Sequence, residues 1–426
     1  MPTTTTTGSL PVASLPRECD AAIIGGGAAG FFAAITCAES NPGLRVALIE
    51  KSAQCLAKVR ISGGGRCNVT HACFEPTELV RHYPRGAKAL RGPYSRFQPR
   101  DTMAWFESRG VALKIESDGR VFPVTDQSET IIECLTRAAQ QAGVSVHTTT
   151  SIRDIRRDSS GSGSGFVATV KDAEPLRCKR LLLATGNGVY GWRWAQELGH
   201  TIEEPVPSLF TFTIHDPRLR DLAGVVVDPV CLRLKDANLE QPGPLLITHW
   251  GLSGPVVLRL SAWGARILHE RGYLMELEVD WAPKRTTEQL RDSISKEKTA
   301  NARRTIMSHP VEDLPKRLWA RLTHAAGIRE DERWADLSKS ETVRLVDEIH
   351  RGTFQITSKG VFKEEFVTCG GVRLDEVNLK TMESRVCPRL HFAGEILDID
   401  GVTGGFNFQS AWTTGYLAGL AMAAGE

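Results

Sequence analysis

The sequence predicts an α/β protein, α+β overall, in which a Rossmann-like dinucleotide-binding domain is split by an inserted β-rich domain and a helical insert. Three observations predict it. First, a short apolar strand (20–24, DAAII) turns through Gly25-x-Gly27-x-x-Gly30 into an Ala-rich helix ending near Ser40, and LRVALIE (44–50) follows as a second buried strand. That is a βαβ unit. Second, residues 209–281 shift to β-type runs such as LFTFTI and YLMELEVD, and 285–350 are polar and helical. Third, from Gly370 the chain returns to glycine-rich loops around one buried strand, LHFAG. The expected organisation is a disordered tail (1–17), a first part of the nucleotide domain (18–205), a β-rich insert (206–283), a helical insert (284–353) and a return to both the β domain and the nucleotide domain (354–426).

Between these landmarks the elements follow in order. An amphipathic helix is expected over 101–109, then the strand VALKI, a turn at Asp118-Gly119 and the strand RVFPV. Ile131, Ile132, Leu135 and Ala139 fall near 3.6 spacing and predict a helix over 128–142. Strands at 151–157 and 166–171 flank SSGSGSG, read as a hairpin tip, and LLLATG (181–186) is a third buried strand ending at a glycine.

Composition bounds the function. The 426 residues carry 52 Lys plus Arg against 50 Asp plus Glu, a net charge of +2. That balance excludes a histone-like polyanion coat, though not local basic patches. Ten cysteines occur with no C-x-x-C among them, so zinc-ribbon and thioredoxin spacings are missing. The polar N-terminal residues do not read as a secretory signal, and no apolar run approaches the ~18 residues of a membrane span. The expectation is a cytoplasmic protein with reduced thiols and no membrane partner.

The glycine fingerprint assigns chemistry to its positions. Gly25 permits the tight turn, Gly27 lets backbone approach a pyrophosphate, and Gly30 lets helix pack on strand. Helix amides then face the phosphate. Glu50 ends the next strand, where an acid takes ribose hydroxyls, with Lys51 beside it. A carboxylate there disfavours a 2′-phosphate. A second glycine set, Gly186-x-Gly188-x-x-Gly191, has no acid twenty residues on, and Trp192 and Trp194 crowd it. It reads as a return strand, with Ala184 and Gly186 near the cofactor. At the far end, Gly394 and Glu395 close a strand, and Gly404-Gly405 lead into a small-residue helix. The free amides near Asn407 and Phe408 suit the pyrimidine O2 of a flavin, and Glu395 a ribityl or ribose hydroxyl. An NAD dehydrogenase needs no such returning segment, so FAD is the expected cofactor.

KVRISGGGRCNVTH (58–71), DGRVFPV (118–124), THWGLSGPVVLRLS (248–261) and the run from Phe366 to Trp412 resemble the BaiN/YhiN-like flavoproteins over nearly the whole chain. The resemblance implies FAD, a two-part Rossmann-like domain, a β-rich domain and a helical insert. It also implies reduction of an activated C=C, either a uridine in large-subunit ribosomal RNA or an unsaturated bile-acid intermediate, with NADH or NADPH the electron donor. The sequence departs from the family pattern at Asn187–Trp192, where Gly, Ser and Pro are usual, and at Phe406, where Tyr is usual.

Lys58, Arg60, Ser62 and the Gly63, Gly64, Gly65 loop lie just past Glu50 and so near the cofactor. Arg66 is a candidate to bind a substrate carbonyl or a flavin anion. Cys67 is the candidate proton donor, its pKa expected to be lowered by Arg66. The alternative is a small buried residue packing on the flavin. No metal is expected, since His71, His249 and His391 form no ligand spacing. Between Leu79 and Arg100, Arg81, Arg85, Lys88, Arg91, Arg96 and Arg100 occur without an acid and are interleaved with Tyr83, Tyr94 and Phe97. Gly, Pro and aromatics make this a poor surface helix, and cations with stacking rings suit RNA. A second basic stretch, Lys284 to Arg321, reads as a solvated face. Two other readings stand beside the RNA-directed reductase: an FAD enzyme on a small apolar molecule, and a non-catalytic FAD-stabilised module that binds RNA or a partner.

Overall fold

Five short apolar segments, 18–24, 46–49, 145–147, 176–183 and 390–392, alternate with helices and pair in parallel. In space they run 145–147, 46–49, 18–24, 176–183, 390–392. Sequence order therefore reverses between the first strand, Glu18–Ile24, and Leu176–Leu183. A doubly wound sheet leaves its ligand crevice at such a switch point. The α/β class and the Rossmann-type domain hold as the sequence predicts. The computed structural model describes residues 15–158, 165–360 and 367–425; tail residues 1–14 and the hairpin tip at 159–164 lie outside the described residues.

The chain divides into two compact units, one of residues 1–205 with 368–426 and one of 206–367. The second crossing lies at Val367/Thr368, within the 354–426 segment expected to return to both domains. In the first unit, the eight-residue strand Leu176–Leu183 is shared: its first half pairs with Gly165–Val170 and its second half with Leu390–Phe392. Two helices cross over the sheet. The Ala-rich helix Ala28–Ser40 is buried from Ala29 to Ala38. Against it lies the C-terminal helix Phe406–Ala424. Their backbones approach closely: a Cβ on Gly415 would stand 2.6 Å from the Ala29 oxygen, and one on Gly419 2.5 Å from the Ala33 oxygen. Among the described residues no helix is long and apolar enough to cross a membrane.

The second unit is one core rather than separate β-rich and helical inserts. A seven-stranded sheet and the helices Thr287–Ala300, Lys316–Ala325 and Lys339–Arg351 bury a common apolar set that includes Leu277, Trp281, Trp319 and Trp334. Capping boxes at Thr286/Gln289 and Ser338/Glu341 start two of these helices.

At the other end of the parallel strands one carboxylate ties three of them. Asp20 accepts from the Arg45 amide at 2.9 Å and pairs with Lys179 at 2.8 Å. Burial pushes its pKa up, but the bonds from Lys179 and Arg45 outweigh this and hold it at about 2. A carboxylate with a depressed folded pKa stabilises the fold above its unfolded pKa and stops doing so as pH falls through the folded value. Asp20→Asn should therefore cost roughly 1 kcal/mol at pH 7, discounted for the exposed cations. In urea unfolding the gap to wild type should close between about pH 4 and pH 2.

Candidate functional site

The three fingerprint glycines do different work. Gly25 has φ 116°, and a Cβ there would stand 2.3 Å from the Ala184 oxygen. A Cβ on Gly30 would fall 1.9 Å from the Gly25 oxygen. Both positions are closed by the protein itself. Gly27 has ordinary extended backbone, and a Cβ there would meet nothing within 4 Å. Its missing side chain leaves room that no protein atom uses. Beside it, Glu50 accepts from the Gly26 amide at 2.8 Å and from the Ser52 amide at 2.8 Å. Lys51 is exposed.

The helix Ala57–Gly65 turns over at Ser62, Gly63 and Gly64. Gly64 and Gly65, at φ 70° and 84°, also face open space. Within this helix Lys58 projects across the switch point. Its Nζ lies 2.5 Å from Glu395 Oε2 and 3.3 Å from Asn187 Oδ1. The other Glu395 oxygen accepts from the Thr368 amide at 3.1 Å. At Gly186, with φ 60°, a Cβ would stand 3.7 Å from Glu395 Oε2. One cation thus joins the segments 57–65, 184–188 and 394–396. The role of Lys58 as the joint was not visible in sequence, since its partners lie 129 and 337 residues away. Arg60 is turned instead to Glu129.

Arg66 is committed elsewhere. Its guanidinium pairs with Glu116 at 2.7 Å and Asp126 at 3.5 Å and lies 3.9 Å over the Phe122 ring. Cys67 corrects the expected thiol chemistry. It is fully buried at φ 60°, and burial pushes its pKa up to about 12, with a weaker opposing hydrogen bond from Ser62. Arg66 does not activate it, and the packing role fits the geometry. All ten cysteines are free thiols, and no cluster of His, Cys, Asp or Glu among the described residues has metal-ligating geometry.

The C-terminal helix begins at Phe406 after Gly405, with the first-turn amides of 406–408 leaving its end. The Asn407 side chain is used locally, accepting from the Gly401 amide and donating to the Gly401 oxygen, both at 2.8 Å. Phe408 stacks on Trp412. A buried polar network fixes this turn. Gln409 Oε1 accepts from Thr70 at 2.5 Å and Thr102 at 3.0 Å, and its amide donates to Thr413 at 3.0 Å.

The stretch from Leu79 to Arg100 supports this turn rather than offering stacking rings, which corrects the part of the expected RNA surface that rests on Tyr83, Tyr94 and Phe97. Tyr83 and Tyr94 are fully buried and Phe97 is buried. Tyr83 donates to the Phe406 carbonyl. Arg85 donates through Nε to Asp400 Oδ1 at 2.5 Å and pairs with its second oxygen, in a site where Asp400 has no exposed side-chain surface. Arg81 pairs with Glu78, and Arg96 donates to the Lys380 carbonyl. Ala87–Tyr94 is a surface helix after all, with Leu90, Pro93 and Tyr94 inward. Lys88, Arg91 and Arg100 are exposed, with Arg100 over the Phe74 ring. The second glycine set caps the helix Val189–Glu197. Its tryptophans do not crowd the turn: Trp192 and Trp194 point inward and donate to the carbonyls of Ile396 and Arg153.

An elongated anionic dinucleotide fits these residues. Three glycines leave unfilled space, two carboxylates flank the switch point, and the buried Thr185 hydroxyl has no partner. Comparison with known proteins agrees with the resemblance read from sequence. Residues 19–421 match the HI0933-like protein Rossmann domain. The chain is 29% identical over 411 residues to the 3-dehydro-bile acid delta(4,6)-reductase of Clostridium scindens, covering 94% of this chain and 98% of that one. It is 28% identical over 409 residues to the ribosomal RNA dihydrouridine synthase of Escherichia coli, covering 93% and 96%. Among solved structures, the 3-ketosteroid-delta4-(5alpha)-dehydrogenase of Rhodococcus jostii shares the fold at TM-score 0.51 and 16% identity, over 99% of both chains.

Two measurements check this geometry. Gly27→Ala should lower FAD content while leaving the unfolding midpoint of the cofactor-free protein unchanged. Gly30→Ala should destabilise it by about 2 kcal/mol through overpacking. Arg85→Ala should cost about 3–5 kcal/mol in denaturant unfolding, because it takes the guanidinium away from a fully buried carboxylate, and Arg85→Leu with Asp400→Leu should recover most of that.

Proposed function

The chain belongs to the HI0933-like Rossmann-domain family, and we propose that it is an FAD-dependent reductase of a carbon–carbon double bond conjugated to a carbonyl. The observation that carries the proposal is the convergence at the switch point: the open Gly27, Gly64 and Gly65, the Lys58 ammonium between Glu395 and Asn187, and the N-terminal end of the C-terminal helix. Gly27 would admit the pyrophosphate, Glu50 the adenosine ribose, and Glu395 a ribityl hydroxyl. Reduced FAD, when bound, would supply a hydride to the far carbon of such a bond, and water would supply the proton to the carbon beside the carbonyl.

The protein's own part is binding and electrostatics. The amides of 406–408 and the Lys58 ammonium place positive charge where negative charge must be tolerated. Arg66 and Cys67 shape the glycine loop that covers this region, because one is paired and the other buried. NADH or NADPH would renew the reductant.

Uracil in ribosomal RNA and an apolar ring enone both carry a conjugated C=C–C=O. Relatives named for each substrate match with similar identity. The burial of Tyr83, Tyr94 and Phe97 removes the expected base-stacking rings, which favours the small apolar ring as a reading of equal standing.

Purified protein should be yellow, with one FAD per chain, and NADH or NADPH should bleach it under anaerobic conditions. Readdition of a 4-en-3-one steroid should then restore the colour if the substrate is an apolar enone. Loss of dihydrouridine from ribosomal RNA in a deletion strain would instead identify uridine. A colourless protein that takes up no added FAD overturns the proposal, and a yellow protein that neither nucleotide bleaches supports a non-catalytic module.

A further inference from the structure

We propose that Tyr190, with Val189 beside it, forms the substrate-contacting wall of this site, a platform on which a flat conjugated enone ring stacks. The inference rests on the reductase reading above and adds which residues select the substrate.

Position comes first. The turn 184–188 leaves the end of Leu176–Leu183 at the switch point, and Val189 and Tyr190 open the helix that follows. Asn187, immediately before them, is held by the same Lys58 that holds Glu395. The helix that carries the two side chains therefore starts beside the segments assigned to the cofactor.

Exposure comes second. Val189 is 74% and Tyr190 58% exposed, whereas Trp192 and Trp194, two and four residues past Tyr190, are buried with their indole N–H groups bonded. One short helix thus sends two large rings into the core and leaves one in the open, its centroid 6.2 Å from that of Trp194.

Preorganisation comes third. The Arg193 guanidinium lies 5.1 Å from the Tyr190 ring centroid. Arg193 is itself fixed, donating to the Arg153 carbonyl at 2.8 Å and pairing with Glu197 at 3.4 Å. A ring backed by a fixed cation loses little freedom when its surface is covered, and Val189 extends the apolar wall. The occupant this fits is a planar ring carrying C=C–C=O, supplied either by uracil or by a fused-ring enone.

The test titrates oxidised, FAD-loaded protein with a 4-en-3-one steroid and, separately, with a uridine-containing oligonucleotide, reading the shift of the flavin absorption band. Tyr190→Ala should weaken binding of the responding probe about tenfold, as loss of one stacked ring does, and Tyr190→Phe should bind within about twofold of wild type. Val189→Ser should weaken it less than Tyr190→Ala. FAD content and bleaching by dithionite should be the same in all variants, which separates a contact role from a folding defect. A steroid response identifies the fused-ring source and an oligonucleotide response the pyrimidine source. Wild-type affinity in Tyr190→Ala for a probe that does respond overturns the inference and leaves the reductase reading standing. A wild-type protein perturbed by neither probe overturns both.

Discussion

The first unit depends on a contact that involves no side chain. At the switch point the backbone of Gly25 lies against the carbonyl of Ala184, and the Gly25 carbonyl in turn lies under Gly30. A methyl at either glycine would overlap backbone rather than a movable side chain. The two central parallel strands and the fingerprint helix are therefore in register only because these positions are bare. The crevice above them inherits its floor from that register, and so do the distances across which Lys58 reaches Asn187 and Glu395.

A second constraint fixes the roof. The C-terminal helix is buried along most of its length, and apolar contacts alone would let it slide or rotate by a turn. Gln409, buried among Thr70, Thr102 and Thr413, removes that freedom, because its hydrogen bonds close in only one register. Asp400 does the same for the loop ahead of the helix by demanding Arg85. Charged and polar groups in the first unit's interior thus act as locators, while the apolar contacts supply the bulk of the stabilisation.

What the sequence revealed follows from how far each signal reaches. The βαβ unit, Gly25-x-Gly27-x-x-Gly30 and Glu50 are local patterns, readable because turn, strand and helix chemistry sit within a few tens of residues. The helix at 128–141 announced itself by apolar spacing. Misreadings arose where a residue's partner was remote. Arg85 looked like a free cation because Asp400 is 315 residues away. Tyr83 and Tyr94 looked like stacking rings because the helix that buries them comes at the end of the chain. Cys67 looked activated beside Arg66, whose charge is in fact answered by Glu116 and Asp126. Pro93 and Gly92 made Ala87–Tyr94 look like a poor helix, yet packing of Leu90 and Tyr94 outweighed propensity.

The pairing of Ala28–Ser40 with Phe406–Ala424 has a consequence for synthesis. The helix that carries the nucleotide fingerprint leaves the ribosome long before the helix that covers it. Between them the whole of 206–367 must be translated. A growing chain can form its inserted unit early, but it holds an open apolar groove until the helix Phe406–Ala424 has been made. Cofactor capture is thereby tied to synthesis of that helix. A chain cut short before Phe406 would carry its glycine fingerprint intact and no finished site, a natural substrate for chaperones and proteases.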